Sequence, residues 1–266
     1  MTKITPFDRD VTFADEESDY PYFDRFSSCL AEFLGCLLFI FIGSLSFIAG
    51  ELVVAAFAHG LTIGLLIMGL GHISGGHFNP AVTIGVFISG NIHFLLAILY
   101  IICQLLGGFV GGLFVRSVIT EGTYFSIAGG TTNINPEINA GQAIVGEAIA
   151  TYILVQSVLN AAVDSDGENV LAPLAIGLSV LVDILALGGT TGASMNPARS
   201  FGPAAAYSML GNRTGCSFGK CTGNLKNTAP WQFHYVHWVG PIIGAAIAAA
   251  VYKLFFAKQG KRWILN

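Results

Sequence analysis

Charged side chains are spread so unevenly along this chain that the gaps between them outline its elements. The 64 residues between Glu51 and Arg116 include no Asp, Glu, Lys or Arg. Further uncharged runs cover Phe33–Gly50, Ala148–Val163, Ile184–Ala198 and Asn227–Tyr252. A helix needs about 20 apolar residues to cross a bilayer, so the longest run crosses more than once. Apolar and polar positions do not alternate within the runs, and backbone groups in lipid must be satisfied internally, so helices are favoured over a barrel. The pattern predicts six spanning helices, at about 27–48, 53–71, 94–116, 142–163, 171–187 and 231–256. Two apolar stretches near 79–88 and 196–207 run to only about ten residues each, which is too short to span.

The two halves of the chain repeat one another. Glu32 in AEFLG corresponds to Glu147 in GEAIA, 115 residues later. Gly60–Ile63 (GLTI) corresponds to Gly177–Val180 (GLSV), and Asn79-Pro80-Ala81 to Asn196-Pro197-Ala198, both at an offset of 117. QLLGGFVGG from Gln104 corresponds to HWVGPIIGA from His237 at an offset of 133, because the preceding loop is longer. Three spans per half is an odd number, so the second half enters the membrane inverted. Paired interrupted segments in an inverted repeat put a substrate path near the bilayer midplane.

Composition sharpens this reading. Hydrophobic residues make up 53% of the 266 positions and charged ones 11%, less than half the roughly 25% charge of a soluble domain. The mean hydropathy is +0.68. These values exclude a soluble enzyme, a disulfide scaffold and a disordered chain. Residues 1–26 are polar and acidic, with Asp8, Asp10, Asp15, Glu16, Glu17, Asp19 and Asp24, and read as a solvated tail without a signal peptide. The chain thus divides into an acidic tail (1–26), one channel domain (27–256, with repeats at about 27–116 and 142–256) and a basic tail (257–266).

Basic residues give the orientation. Lys3, Arg9, Arg25, Lys253, Lys258, Lys261 and Arg262 lie in the two tails, against Arg116, Arg213, Lys220 and Lys226 on the other side. The bias puts both termini in the cytoplasm. Asn212-Arg213-Thr214 is then a glycosylation sequon facing outward, beside Cys216 and Cys221, which could close a small disulfide in an oxidising compartment. This route fits the plasma membrane, with intracellular membranes as the alternative. Cys29, Cys36 and Cys103 lie in apolar helices and read as packing residues.

The chemistry resides in the duplicated Asn-Pro-Ala. Asn caps helices well, and Pro suits the first helical position because its missing N–H would be unpaired there anyway. Each tripeptide therefore opens a short helix. Inversion brings the two N-termini together inside the membrane, each carrying about half a positive charge. The Asn79 and Asn196 amides add donors to whatever occupies the gap. Such a site accepts a neutral molecule like water and repels cations. Ser74-Gly75-Gly76-His77 and Gly192-Ala193-Ser194 supply backbone carbonyls along the path.

GHISGGHFNPAV (71–82) and SMNPARSFG (194–202), set in an inverted repeat, resemble the aquaporin family over about residues 27–256. The resemblance implies an all-α membrane fold of six spanning helices and two half-helices, and a homotetramer with one pore per subunit. It also implies ion exclusion by an arginine and the half-helix dipoles. Arg199 matches the family's filter arginine; the remaining filter positions fall on His59, Ile184 and Ala193. Water-selective members usually carry Phe and His at the first two of these, and many carry Cys at the third. The set seen here is similar to the aquaporin-8 branch and the plant vacuolar aquaporins, linked to hydrogen peroxide and ammonia. Replacing an imidazole by Ile184 makes one wall apolar, which relaxes discrimination among small neutral solutes. Glycerol is disfavoured, since Ser200 stands where glycerol conductors usually have Asp. Glu32 and Glu147 are expected to hold the loop backbones as buried acceptors. Asp183 reads either as a lining residue of the cytoplasmic half or as a core acceptor. His72 and His77 lack the partners of a metal pair and read as loop packing or, for His77, a pH sensor. His234 and His237 read as an interfacial and a core histidine.

A passive channel for water and small neutral solutes, embedded in lipid, is therefore expected. No catalytic residues, cofactor, metal or nucleic-acid partner are expected, because no nucleophile–base pair or ligand set stands out. Two competing readings are an ion- or proton-coupled secondary transporter, for which only Glu32, Glu147 and Asp183 could couple, and a closed-pore junctional protein.

Overall fold

The computed structural model describes residues 21–164, 167, 169–211, 230–258 and 262–263. Its spanning elements are α1 (Pro21–Leu45), α2 (Leu52–Ser74), α4 (Phe94–Val118), α6 (Ala140–Val158), α7 (Ala172–Leu187) and α9 (Val236–Val251). Between them lie the half-helices α3 (Pro80–Ile88) and α8 (Pro197–Gly211) and a short α5 (Glu121–Ser126). No strand occurs among the described residues. Five of the helical stretches are long and apolar enough to cross a membrane, and Ala172–Leu187 is a shorter apolar helix. The fold is the all-α membrane fold expected from the sequence.

Four boundaries differ from expectation. The first span begins at Pro21 rather than about 27, so residues 21–26 belong to a helix and not to a solvated tail. The second half-helix continues to Gly211 through Ala204, Ala205 and Ala206, which carry the helix past Pro203 because alanine is the best helix former. The last span begins at Val236 rather than 231. Phe233 adopts a φ of 58°, a left-handed conformation that a helix cannot continue through, so residues 231–235 form turns instead. The fourth span leaves α-geometry at Leu159, where a π turn runs to Val163, and a matching π turn covers Tyr252–Phe256 after α9.

Inversion is visible in the packing. α1 lies on α4 and α6 on α9, while α2 and α7 cross at the centre. Each half-helix packs mainly on the last helix of the opposite half, α3 on α9 and α8 on α4. Glycine makes the close crossings possible. A Cβ on Gly60 would stand 2.7 Å from the Gly177 carbonyl oxygen, and one on Gly177 would stand 2.5 Å from that of Gly60. These two glycines are equivalents in the repeat, so the pseudo-twofold axis passes between them. Gly107 and Gly111 seat α4 on α1, Gly108 and Gly112 seat it on α8, and Gly240 and Gly244 seat α9 on α6. Small residues replacing side chains at crossings let backbones touch where hydrophobic burial supplies no drive. The outward faces, including Leu65, Met68, Leu106 and Ile149, are apolar and exposed, as lipid contact requires.

Candidate functional site

The site is built from two loops that dip into the bundle, and a buried carboxylate holds each one. Glu32 on α1 accepts from the Ser74 hydroxyl (2.7 Å) and His77 N–H (2.9 Å) on one oxygen, and from Phe78 N–H and the Gln104 amide (both 2.7 Å) on the other. Glu147 on α6 accepts from the Thr191 hydroxyl (2.7 Å), Ser194 N–H (2.9 Å) and Met195 N–H (2.7 Å), with His237 Nδ1 at 3.5 Å. Ser74, His77, Phe78 and Gln104 are the repeat equivalents of Thr191, Ser194, Met195 and His237. A carboxylate with its lone pairs satisfied in this way tolerates full burial.

The dihedral angles repeat as well. Gly75, Gly76 and Phe78 have φ of 88°, 65° and 48°, and Gly192, Ala193 and Met195 have 81°, 44° and 53°. A left-handed conformation at Phe78, Ala193 and Met195 is costly for residues with a Cβ, and the carboxylate clamps hold it in place. Asn79 then caps α3, its Oδ1 accepting from Ala81 N–H at 2.8 Å, and Asn196 caps α8 by accepting from Ala198 N–H at 2.9 Å.

Each asparagine also reaches across to the other half. Asn79 Nδ2 donates to the Met195 carbonyl, and Asn196 Nδ2 to the Phe78 carbonyl, both at 2.9 Å. Those two carbonyls are therefore engaged by the asparagines, and that of Phe78 accepts from the Cys36 thiol as well. An amide carries two donor hydrogens, so one remains on each asparagine for a passing molecule.

Two cavities flank the asparagines. The wider, about 210 Å³, lies on the side of the α2 start and the α7 end and is lined by His59, Ile184, Arg199, Phe47, Gly192 and Thr131 among others. The narrower, about 20 Å³, touches both asparagines, His77 and a sleeve of Ile63, Val82 and Val180. That volume accommodates about one water molecule. Together they form a polar file in an apolar shell. Ala193 stands behind the wall, 1% exposed, with Gly192 forming the surface.

His59 and Arg199 are each held by a backbone carbonyl and by Phe47. His59 Nδ1 shares a hydrogen bond with the Ala55 carbonyl at 2.8 Å, and its ring sits edge-on to Phe39 and Phe47. Arg199 donates from Nη1 to the Gly130 carbonyl at 2.9 Å, and its guanidinium lies 5.5 Å from the Phe47 ring centre.

The family is decided by comparison with known proteins. The major intrinsic protein family profile matches residues 21–252. The chain is a major intrinsic protein. It is similar to Aquaporin-8 of Rattus norvegicus, 37% identical over 97% of this chain and 92% of that one. It is also similar to Aquaporin TIP1-2 of Zea mays, 38% identical over 96% and 94% respectively. Among solved structures it resembles the aquaglyceroporin from Plasmodium falciparum, with a TM-score of 0.71 and 26% identity, covering 86% of this chain and 95% of the other. The chain is therefore a membrane channel of the aquaporin family, conducting water, and not an enzyme.

Several parts of this aquaporin's site were not foreseen in the sequence. Phe47 and Gly130 hold Arg199, and Thr132 reaches the Ser200 hydroxyl, which in turn meets that of Ser194. The only signal for Gly130 was the paired glycine in a polar loop. Ala128, Gly129 and Gly130 all have positive φ, which turns the Gly130 carbonyl toward the arginine. Gly129 packs against Tyr124 and Tyr207. Burial and the neighbouring Tyr207 push the Tyr124 phenol up to about 12, so this support stays neutral at physiological pH.

Other candidates resolve differently. Asp183 is buried beside Ile184, and its Oδ2 accepts no hydrogen bond among the described residues. His77 lines the narrow cavity and meets the Thr83 hydroxyl at 3.1 Å. Asn212, Cys216 and Cys221 lie outside the described residues, as do residues 1–20 of the acidic tail and most of the basic one.

Proposed function

We propose that this channel conducts hydrogen peroxide and ammonia as well as water, and excludes protons and other ions. The observation that carries this reading is the wide cavity where His59, Ile184 and Arg199 meet. One part of its wall is the side chain of Ile184, which offers no fixed donor and costs an incoming solute less than rigid matching would. Ala193, behind Gly192, puts no side chain into the cavity. Peroxide and ammonia are close to water in size and carry both donor and acceptor capacity, so they use the same remaining partners.

Ion exclusion is supported by the buried Arg199 and by the meeting of the α3 and α8 N-termini at Asn79 and Asn196. In this reading Asn79-Pro80-Ala81 and Asn196-Pro197-Ala198 form the central constriction, His59, Ile184, Ala193 and Arg199 the filter, and Glu32 and Glu147 the loop clamps. Residues 27–116 and 142–256 form one channel domain between two cytoplasmic tails. The assembly is a homotetramer in the plasma membrane, glycosylated at Asn212, with Cys216 and Cys221 joined on the outer face.

The filter is tested by His59→Phe combined with Ile184→His in proteoliposomes. Peroxide and ammonia entry fall while osmotic water flux persists. Unchanged peroxide entry in the double variant removes the filter argument.

A further inference from the structure

The channel mechanism makes no use of two of the cysteines. Cys36 is buried and its thiol donates to the Phe78 carbonyl at 3.0 Å, so it belongs to the loop support. Cys29 on α1 and Cys103 on α4 are different. Both are partly buried free thiols, and each is a side-chain neighbour of the other.

The backbone explains why they meet. α1 and α4 are the first and third spans and run in the same direction, touching where α4 has glycine. Gly107 lies against the Phe33 carbonyl and Gly111 against the Leu37 carbonyl. One turn earlier on each helix, the same register sets Cys103 opposite Cys29. A disulfide bridges Cα atoms roughly 4.4–6.8 Å apart, and the glycine contacts one turn away draw the two helix backbones together at this level.

We propose that Cys29 and Cys103 form a redox modification site, a dithiol that hydrogen peroxide converts to an α1–α4 disulfide. One thiol, as its thiolate, attacks a peroxide oxygen; the O–O bond breaks, and the departing hydroxide takes up the thiol proton to leave as water. The attacking sulfur now carries that oxygen as a sulfenic acid. The second sulfur attacks it, the S–O bond breaks, and the released hydroxide leaves as a second water with the second thiol's proton. Each sulfur loses one electron and each peroxide oxygen gains one. Cys103 adjoins Gln104, which donates to Glu32, so the bond staples together the two helices that carry the first loop clamp. Because the thiols already face one another, the staple forms without displacing that clamp.

The inference is independent of peroxide passage through the pore, since oxidant can be supplied to both sides of the membrane. The test exposes the full-length protein in liposomes to hydrogen peroxide, blocks remaining thiols with N-ethylmaleimide, and maps the peptides by mass. The expected product joins the Cys29 and Cys103 peptides, about 2 Da below their sum, and reverts on reduction. Oxidation raises the unfolding temperature and leaves osmotic water flux unchanged. In Cys29→Ser, Cys103 stops at a sulfenic acid that dimedone traps. Recovery of both wild-type peptides separately alkylated, under peroxide that oxidises a free thiol in the same sample, overturns the proposal. Pairing of either residue with a different cysteine overturns it equally, and neither result requires a variant to fold.

Discussion

The side-chain amide of Asn79 donates to the main-chain carbonyl of Met195 at 2.9 Å, joining residues 116 positions apart in the chain. Asn196 returns the bond to Phe78. The two half-helices are thus cross-braced at the point where the path is narrowest, and the brace orients each amide so that its second hydrogen faces the path.

Replacing Asn79 by Asp exchanges this donor for an acceptor and sets a negative charge where two positive helix ends meet. The brace to Met195 is lost, and the electrostatic barrier to cations falls. A proton leak is expected in Asn79→Asp liposomes, read with an internal pH dye under an imposed gradient, where the wild-type rate matches empty liposomes. A variant as proton-tight as the wild type contradicts the role given to the helix ends.

Glu32 accepts four hydrogen bonds, two on each oxygen. Glu32→Gln turns one acceptor oxygen into a donor group that confronts two donors. Hydrogen bonds to a charged acceptor contribute about 1.5–3 kcal/mol each, so losing two costs several kcal/mol. Ser74→Ala removes one of the four and costs correspondingly less. Thermal unfolding in detergent should rank wild type above Ser74→Ala and Ser74→Ala above Glu32→Gln.

Gly60 and Gly69 sit on the same helix with opposite surroundings. Alanine at Gly60 pushes a methyl group into the Gly177 carbonyl and Leu181, which forces α2 and α7 apart; alanine at Gly69 meets nothing within 4 Å. Gly60→Ala is expected to lower the unfolding temperature and the folded yield. Gly69→Ala gains up to about 1 kcal/mol from helix propensity. Equal stabilities, measured side by side, would sink the crossing as described.

The strap that carries Gly130 offers a separate handle on Arg199. Gly130 has a φ of 82° and its Cα faces Ser44, so Gly130→Val is strained and displaces the carbonyl that accepts from the arginine. A guanidinium hydrogen bond contributes about 1.5–3 kcal/mol. Its loss frees Arg199 to move, and urea or glycerol entry should rise above wild type in stopped-flow light scattering while water still passes. No change in either solute leaves the strap without influence on the filter.

Much of the fold was legible because membrane insertion writes it into the sequence in large letters. Charge-free runs mark the spans, and Asn-Pro-Ala marks both half-helices, since capping requires those residues wherever such helices begin. Glu32 and Glu147 could be singled out because a carboxylate in an apolar helix needs a buried reason. The repeat pairs Gly60 with Gly177 in the sequence, and the structure places that pair where α2 and α7 cross. What could not be read depends on irregular backbone. The left-handed Phe233 that delays the last span, the turn that brings Gly130 to Arg199, and the stacking of Phe47 on the guanidinium involve residues whose types are ordinary and whose conformations are not. Cys29 and Cys103 looked like packing residues because no local spacing links them; only the α1–α4 register does.

The most direct test of the central claim is hydrogen peroxide entry into proteoliposomes loaded with a peroxide-sensitive dye, with osmotic water flux recorded on the same preparation. Peroxide and water both entering well above the empty-liposome rate is the predicted result for a path walled by His59, Ile184 and Arg199. Fast water with peroxide at the empty-liposome rate would contradict it and leave a water-selective channel.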